Sequence, residues 1–443
     1  MPFRPAFVRF YEYQSYDFHT NGKRQRRIVR RRSFGGRRCR LRGFAGGGSI
    51  VVNDIRFVRA HVCPRAGSWL FVRIGSHPAP LPRHPACGNF RIFGVRNESQ
   101  PMYYAEYAGR APQFFRIDRP FPLESGGELP SVTLAYHTYG TLNETGDNAI
   151  WVCHALTANS DVADWWPGTV VEGGLLDPSK YFIVCANKLG SPYGSTSPVT
   201  ENPATGCPWF LDFPQITVRD MVRAYRELRT ALGIARIRMI IGGSTGGCQA
   251  MEWAIAEPEL FGTVALTVTL PKTTPWIVAD SEAQRMALEA DPTFFEPRID
   301  GGGRGLAAAR AMSMLIYRNS VAFNRTQHDP EEKLEGFRAS SYQRYQGEKL
   351  RKRFNAHCYY RLLQALDSHD VGRGRGGVAA ALKRITARSI VMAVDTDIMF
   401  TEPEVREMAV LLGADYHTIR SGYGHDGFLI ETPEITRILK KYL

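Results

Sequence analysis

The stretch "MIIGGSTGGCQAMEWA", Met239 to Ala254, joins an apolar run to a helical pattern through two glycines, a serine, a threonine and two more glycines. Met239, Ile240 and Ile241 read as the end of a buried strand, and Cys248, Met251, Ala254 and Ile255 then recur at helical spacing. A serine held on a sharp strand-to-helix turn leaves room beside it only for residues with almost no side chain. Gly242-Gly243-Ser244-Thr245-Gly246 fits this G-x-S-x-G nucleophile elbow. A glycine-rich turn with an ordinary serine fits the same letters, so the reading depends on partners further along the chain.

Outward from the elbow, "VTLAYHTYG" alternates like a half-buried strand, whereas "NAIWVCHAL" and "YFIVCANKLG" are short apolar runs of the kind buried on both faces of a parallel sheet. Before the elbow, Met221, Tyr225, Leu228 and Leu232 line one face of an amphipathic helix that Gly233 closes. Another strand, "VALTVTL", follows. Strands alternating with helices predict a doubly wound, mostly parallel α/β sheet. The alternation breaks over 271–377, which reads as a helical insertion, a lid over the carboxyl ends of the strands. The sheet resumes in "RSIVMAVDTDIMF" and "YHTIRS", and a last helix has Thr432 as N-cap and Pro433 in its first turn. The core is therefore discontinuous, 113–270 with 378–443.

The first 112 residues read differently. Residues 1–100 hold 20 Lys+Arg against 4 Asp+Glu, and the remainder 36 against 39, so the formal net charge of +13 belongs to one end of the chain. That end is Arg-rich, without sustained periodicity, and is expected to be disordered or a mis-assigned start with Met102 as the true one. A nucleic-acid-binding arm and a targeting segment are the competing readings. Apolar residues make up 44% of the chain, yet no apolar run is long enough to span a membrane. Of the eight cysteines, Cys153, Cys185, Cys207, Cys248 and Cys358 show no C-x-x-C spacing and are read as free thiols of a reducing, cytoplasmic protein.

Ser244 needs a base and an acid, and on a sheet of this kind both come from loops after later strands. After "SIVMAV" stand Asp395 and Asp397; after "YHTIR" stands "SGYGHDGF" with His425. A hydroxyl becomes nucleophilic when a base takes its proton, and a carboxylate then fixes the imidazole tautomer. His154, which precedes the nucleophile, and His417, inside a strand, are weaker bases. The amide of Thr245 is one oxyanion donor, and the second belongs to the loop "CHALTANSDVADWW".

With these segments assembled, the chain from about Gln113 to Leu443 resembles the homoserine O-acyltransferases, the acetyltransferase branch in particular. The resemblance rests on "CHALTANSDVADWWPGTV", "YFIVCANKLGSPYGSTSP", "NPATGCPWFLDFPQITVRDMVRA", "GGSTGGCQAMEWA", "FRASSYQRYQGEKLRKRFNAHCYY" and "GYGHDGFLIE". It implies an α/β-hydrolase fold with Ser244 as nucleophile, Asp397 as acid, His425 as base, and the amides of Leu156 and Thr245 as oxyanion donors. It also implies that Arg285 holds the substrate carboxylate and Asp426 meets its amine. The implied activity is ping-pong transfer of an acetyl group from acetyl-CoA, a co-substrate, to the hydroxyl of L-homoserine, the first committed step of methionine biosynthesis. No metal or other cofactor is implied, nor nucleic acid or membrane; a homodimer through the lid is. A succinyl donor, a serine acceptor or a carboxylester hydrolase are alternatives on the same scaffold. Thr245 stands where the family has Met or Leu, and "VDTDIMFTEPE" departs from the usual loop after the acid.

Overall fold

The computed structural model describes residues 109–443 and, before them, four short strands. The chain divides into two units, Met1–His84 and Pro85–Leu443. In the first, Phe18–Thr20 pairs antiparallel with Lys23–Gln25, and Cys39–Arg42 with Ser49–Val52. The rest of the first 108 residues, and with them the expectation of a disordered or mis-assigned leader, lie outside the described residues. The described fold extends slightly before the expected boundary at 113: Arg110 donates through Nη1 to the Thr138 carbonyl at 3.2 Å, and its own carbonyl accepts from His137 Nε2 at 2.8 Å.

The second unit is built on eight strands: β1 (Gln113–Ile117), β2 (Val132–Tyr139), β3 (Ala149–Cys153), β4 (Phe182–Ala186), β5 (Ile237–Gly243), β6 (Phe261–Thr267), β7 (Arg388–Val394) and β8 (Asp415–Ile419). They pair in the order β8-β7-β6-β5-β3-β4-β2-β1. Only β2 runs against the others. The continuous apolar runs have a direct cause in this topology. All five residues of β3 are buried, Trp151 and Cys153 in the core on one face and Ile150 and Val152 in the core on the other.

Helix α1 (Val218–Ala231) starts with a capping box in which the Thr217 side chain accepts from the Asp220 amide and the Asp220 carboxylate from the Thr217 amide. Its buried face carries Met221, Tyr225 and Leu228. Helix α2 (Thr245–Ala256) is buried on almost every side, so its polar residues are matched: Gln249 accepts from the Tyr225 hydroxyl at 2.7 Å, and Glu252 pairs with Arg375 and Arg219. Trp151 locks both helices to the sheet. Its ring centroid lies 5.8 Å from that of Tyr225 and 4.8 Å from that of Trp253, the latter edge-on.

Between β6 and β7 come α3 (Pro275–Glu289), α4 (Gly303–Tyr317), α5 (Ser320–Thr326), α6 (Arg338–Arg351) and α7 (Ala356–Asp367). Helix α4 packs against both α3 and α6. An antiparallel bridge between Lys272 and Asp370 closes the base of this insertion. Helix α8 (Glu402–Leu412) links β7 to β8, and the last long helix, α9, is Thr432–Leu439. Glu431, rather than Thr432, occupies the N-cap of α9, a one-residue shift of the kind helix ends tolerate. Cys153, Cys185, Cys248 and Cys358 are free and buried, whereas Cys207 is disulfide-bonded, against the free-thiol expectation. Among the described residues no helix is long and apolar enough to cross a membrane.

Candidate active site

Ser244 sits between β5 and α2 at φ +57°, ψ −129°. A non-glycine residue there carries strain of about 1–3 kcal/mol, which only a well-anchored surrounding can sustain. The anchors are present. The Ser244 amide donates to the Thr267 carbonyl at 3.0 Å, and the Ser244 carbonyl accepts from the Gly247 amide at 2.9 Å. The elbow is also pressed against the end of β3, where a Cβ on Gly246 would lie 2.1 Å from the Cys153 carbonyl oxygen. Glycine is required there by close approach of backbone to backbone.

The three residues expected to act together meet at the carboxyl ends of β5, β7 and β8. His425 Nε2 lies 2.9 Å from Ser244 Oγ, and His425 Nδ1 lies 2.8 Å from Asp397 Oδ2. In the neutral tautomer that satisfies both bonds, Nδ1–H donates to the carboxylate and Nε2 accepts from the hydroxyl. The other carboxylate oxygen, Oδ1, accepts the amides of Met399 at 2.7 Å and Phe400 at 3.1 Å. Asp395, the alternative acid, instead receives the Ser421 amide at 3.0 Å. Tyr317, Phe400 and Phe428 surround the imidazole with ring centroids 5.6, 5.3 and 5.5 Å away. Burial opposes an imidazolium in this setting. The charge and hydrogen bond of Asp397, with the charge of Asp426, outweigh it and hold His425 above the ordinary histidine value. His154 is held well below that value by burial and the nearby Lys188; its Nδ1–H donates to the Ala155 carbonyl at 2.8 Å, and its Nε2 accepts the Lys188 amide at 3.3 Å. His417 meets the Tyr442 hydroxyl at 3.2 Å instead.

Leu156 and Thr245, the expected oxyanion donors, follow β3 and β5, which are neighbours in the sheet. Among the described residues neither amide is bonded to a backbone acceptor outside the regular elements. Two contacts tie this loop region to the lid. Arg353, just beyond α6, donates to the Thr157 carbonyl at 2.6 Å and to the Tyr193 hydroxyl at 2.9 Å. On the other side Gly424, at φ +65°, abuts the end of α4, so closely that a Cβ would lie 2.8 Å from the Asn319 amide nitrogen and 3.0 Å from the Tyr317 carbonyl. The loop carrying His425 is therefore in direct contact with the insertion.

Arg285 and Asp426 fare differently. Asp426 adjoins the base and forms an ion pair with Arg318 at 3.1 Å. Arg285, on α3, is committed elsewhere: its guanidinium is held by Asp367 and by Glu282, and no contact joins it to Ser244 or His425. A second arginine of the insertion, Arg310, which the sequence reading does not single out, lies one ring away from the base. Its guanidinium lies 5.3 Å from the ring centroid of Tyr317, the same ring that packs on His425, and no carboxylate pairs with it among the described residues. The signal was there in part, because Arg310 and Tyr317 stand seven residues apart on one helix and so share a face.

A profile described as the alpha/beta hydrolase fold matches residues 148–432. The chain is 45% identical to the homoserine O-acetyltransferase of Cyclobacterium marinum over 331 residues, 74% of this chain and 94% of that protein. Its fold resembles the crystal structure of a homoserine O-acetyltransferase from Bacillus anthracis, with TM-score 0.69, 22% identity and coverage of 75% of this chain and 98% of that one. It also resembles esterase E22, with TM-score 0.70, 20% identity and coverage of 75% and 99%.

Proposed function

This chain belongs to the α/β-hydrolase family and, within it, to the homoserine O-acetyltransferases, and from that membership we propose that it moves an acetyl group from acetyl-CoA to the hydroxyl of L-homoserine through acetyl-Ser244. The observation that carries the reading is the unbroken hydrogen-bonded series Ser244–His425–Asp397, with Tyr317 of the lid packed on the imidazole and Arg310 against that ring.

In the first half-reaction His425 Nε2 takes the hydroxyl proton as Ser244 Oγ attacks the thioester carbon, and the amides of Leu156 and Thr245 receive the oxyanion. Collapse of the intermediate expels the CoA sulfur, which leaves with the proton from His425. Homoserine then enters, gives its hydroxyl proton to His425 Nε2 and attacks the acetyl carbon; Ser244 recovers its proton and O-acetylhomoserine departs, feeding methionine biosynthesis in the cytoplasm. Homoserine is a zwitterion, and the free guanidinium of Arg310 suits its carboxylate as Asp426 suits its amine. Arg310 takes the role that the family resemblance assigned to Arg285, since the latter is already neutralised by two carboxylates. The lid keeps water from acetyl-Ser244 between the halves, which separates a transferase from a hydrolase on the same triad. Its exposed Leu315, Val321, Phe337 and Tyr345 suit a homodimer contact, to be checked by sedimentation. A monomer at working concentrations would remove that part.

The test is acetylation without acceptor. Acetyl-CoA alone should release one thiol per chain and leave an acetyl mass on Ser244, and homoserine should then restore continuous release. Ser244→Ala should do neither. Steady thiol release indifferent to homoserine would identify a hydrolase; a succinyl adduct, or serine replacing homoserine, would reassign donor or acceptor.

A further inference from the structure

Lys188 is the one lysine of the described core that the proposed mechanism leaves without a task, and its place is unusual. It follows β4 by two residues and is 1% exposed. Among the described residues no carboxylate pairs with it; the titratable groups around it are the thiols of Cys153, Cys185 and Cys248 and the imidazole of His154. Burial pushes its ammonium down to about 7. An ammonium buried without a counter-ion is held at a cost, which a negative charge developing beside it during turnover would offset.

The hydrogen bonds say where that charge would appear. Lys188 Nζ donates to the Ala155 carbonyl at 3.0 Å and to Thr245 Oγ1 at 3.0 Å. The Ala155 carbonyl and the Leu156 N–H belong to one peptide unit, and a cation on the oxygen draws electrons from the nitrogen and strengthens the N–H as a donor. Thr245 is the other residue whose amide is read as an oxyanion donor. The sheet order β4-β3-β5 makes this possible, because three adjacent strands end side by side and a lysine after β4 can reach the loop after β3 and the elbow after β5 together.

We propose that Lys188 is the cationic support of the oxyanion hole: through the Ala155–Leu156 peptide and the Thr245 side chain it positions both donor amides and places a positive charge behind the anion that forms on the acyl oxygen. It is a positioning residue, since it reaches the reacting atoms only through these two groups. The inference rests on the reading of Leu156 and Thr245 as the oxyanion donors. It also gives the threonine after the nucleophile a task that Met or Leu could not perform.

The experiment follows the burst of p-nitrophenol from p-nitrophenyl acetate, which acetylates the serine without CoA or homoserine, alongside thermal melting. Lys188→Met should lower the acetylation rate by roughly 10²-fold, in the range for loss of an oxyanion donor. The KM for the ester should stay within about threefold and the Tm should be unchanged or higher, because a buried charge has gone. Thr245→Val, which removes one of the two contacts, should lose roughly tenfold at unchanged Tm, and Thr245→Ser should restore the rate. A Lys188→Met rate within about threefold of the parent overturns the proposal. Should Lys188→Met fail to fold, the threonine pair decides, and a Thr245→Val rate equal to the parent's overturns it. Ser244→Ala keeps the two readings apart: a burst that survives that change refutes the nucleophile itself, whatever Lys188 does.

Discussion

The sheet and the lid hold functional side chains by different means. Ser244, Asp397 and His425 stand on short loops after strands β5, β7 and β8; β5 and β7 are buried almost throughout and β8 is anchored by the buried Ile419, so their mutual distances are set by the same packing that makes the sheet. Tyr317 stands on α4 and packs on His425, with Arg310 against the same ring, because the insertion folds back on the turn that bears His425. The first arrangement suits the bond-making steps, which tolerate little displacement. The second suits recognition of an acceptor, and it can be altered without touching the acid-base chain. Variants that separate acetylation of Ser244 from its transfer to homoserine test that division.

The largest effect is expected at Asp397→Asn. One carboxylate oxygen is already fixed as an acceptor by the amides of Met399 and Phe400, so an asparagine there will keep its oxygen on them and turn its amino group towards His425. The imidazole must then accept at Nδ1 and carry its proton on Nε2, where it can no longer take one from Ser244. Acetylation should fall by about 10⁴-fold, roughly 5.5 kcal/mol in the barrier, with the KM for the ester little changed. Rapid-mixing measurement of the burst provides the check, and a loss under tenfold would mean that the carboxylate does not set the tautomer.

Arg310→Met should act on the second half alone. Acetylation of Ser244 should stay within about twofold, while kcat/KM for homoserine drops by roughly 10²-fold through loss of a charge-assisted contact. Arg285→Met makes the contrast sharp. It strands the part-buried Asp367 carboxylate and should lower Tm, yet leave the KM for homoserine unmoved. The reverse pattern, an acceptor defect at Arg285 and none at Arg310, would return the carboxylate to the position that the family resemblance named.

Much of the sheet could be read from the letters because each strand carries its own evidence. The runs "AIWVC" and "SIVMAV" are apolar without interruption, and only a strand covered on both faces asks for that. The elbow was equally plain, since two glycines on each side of Ser244-Thr245 leave the serine hydroxyl unobstructed. The choice between Asp395 and Asp397 was not settled by pattern, for both follow the same strand two residues apart and differ only in which way the turn directs them. Arg310 was hidden for another reason. Position on a helix face is local information, but whether that face meets the active site or solvent depends on how a long insertion docks. Lys188, in "CANKLG", looks like an ordinary polar residue ending a strand; its burial becomes visible only when β3 and β5 are placed beside β4.

The smallest effect expected is a displacement along the pH axis at Asp426, the residue that belongs to both regions: it follows the base in the chain and pairs with Arg318 at the end of α4. His425 must be neutral to accept the Ser244 proton, so acetylation should fall about tenfold per pH unit once the pH drops below its pKa. Burial lowers that pKa, whereas Asp397 first and Asp426 after it raise it, with a net result above the ordinary value. Asp426→Asn removes one raising charge and leaves the Arg318 guanidinium unpaired, and both changes disfavour the imidazolium. The acid limb should therefore move to lower pH, so that the variant acetylates faster than the parent on the acid side and converges with it at higher pH. The p-nitrophenyl acetate burst is the proper readout, because it excludes any weaker hold on the homoserine amine. A limb that stays in place would show that Arg318 already cancels the Asp426 charge at the imidazole, and that the lid touches the chemistry by contact alone.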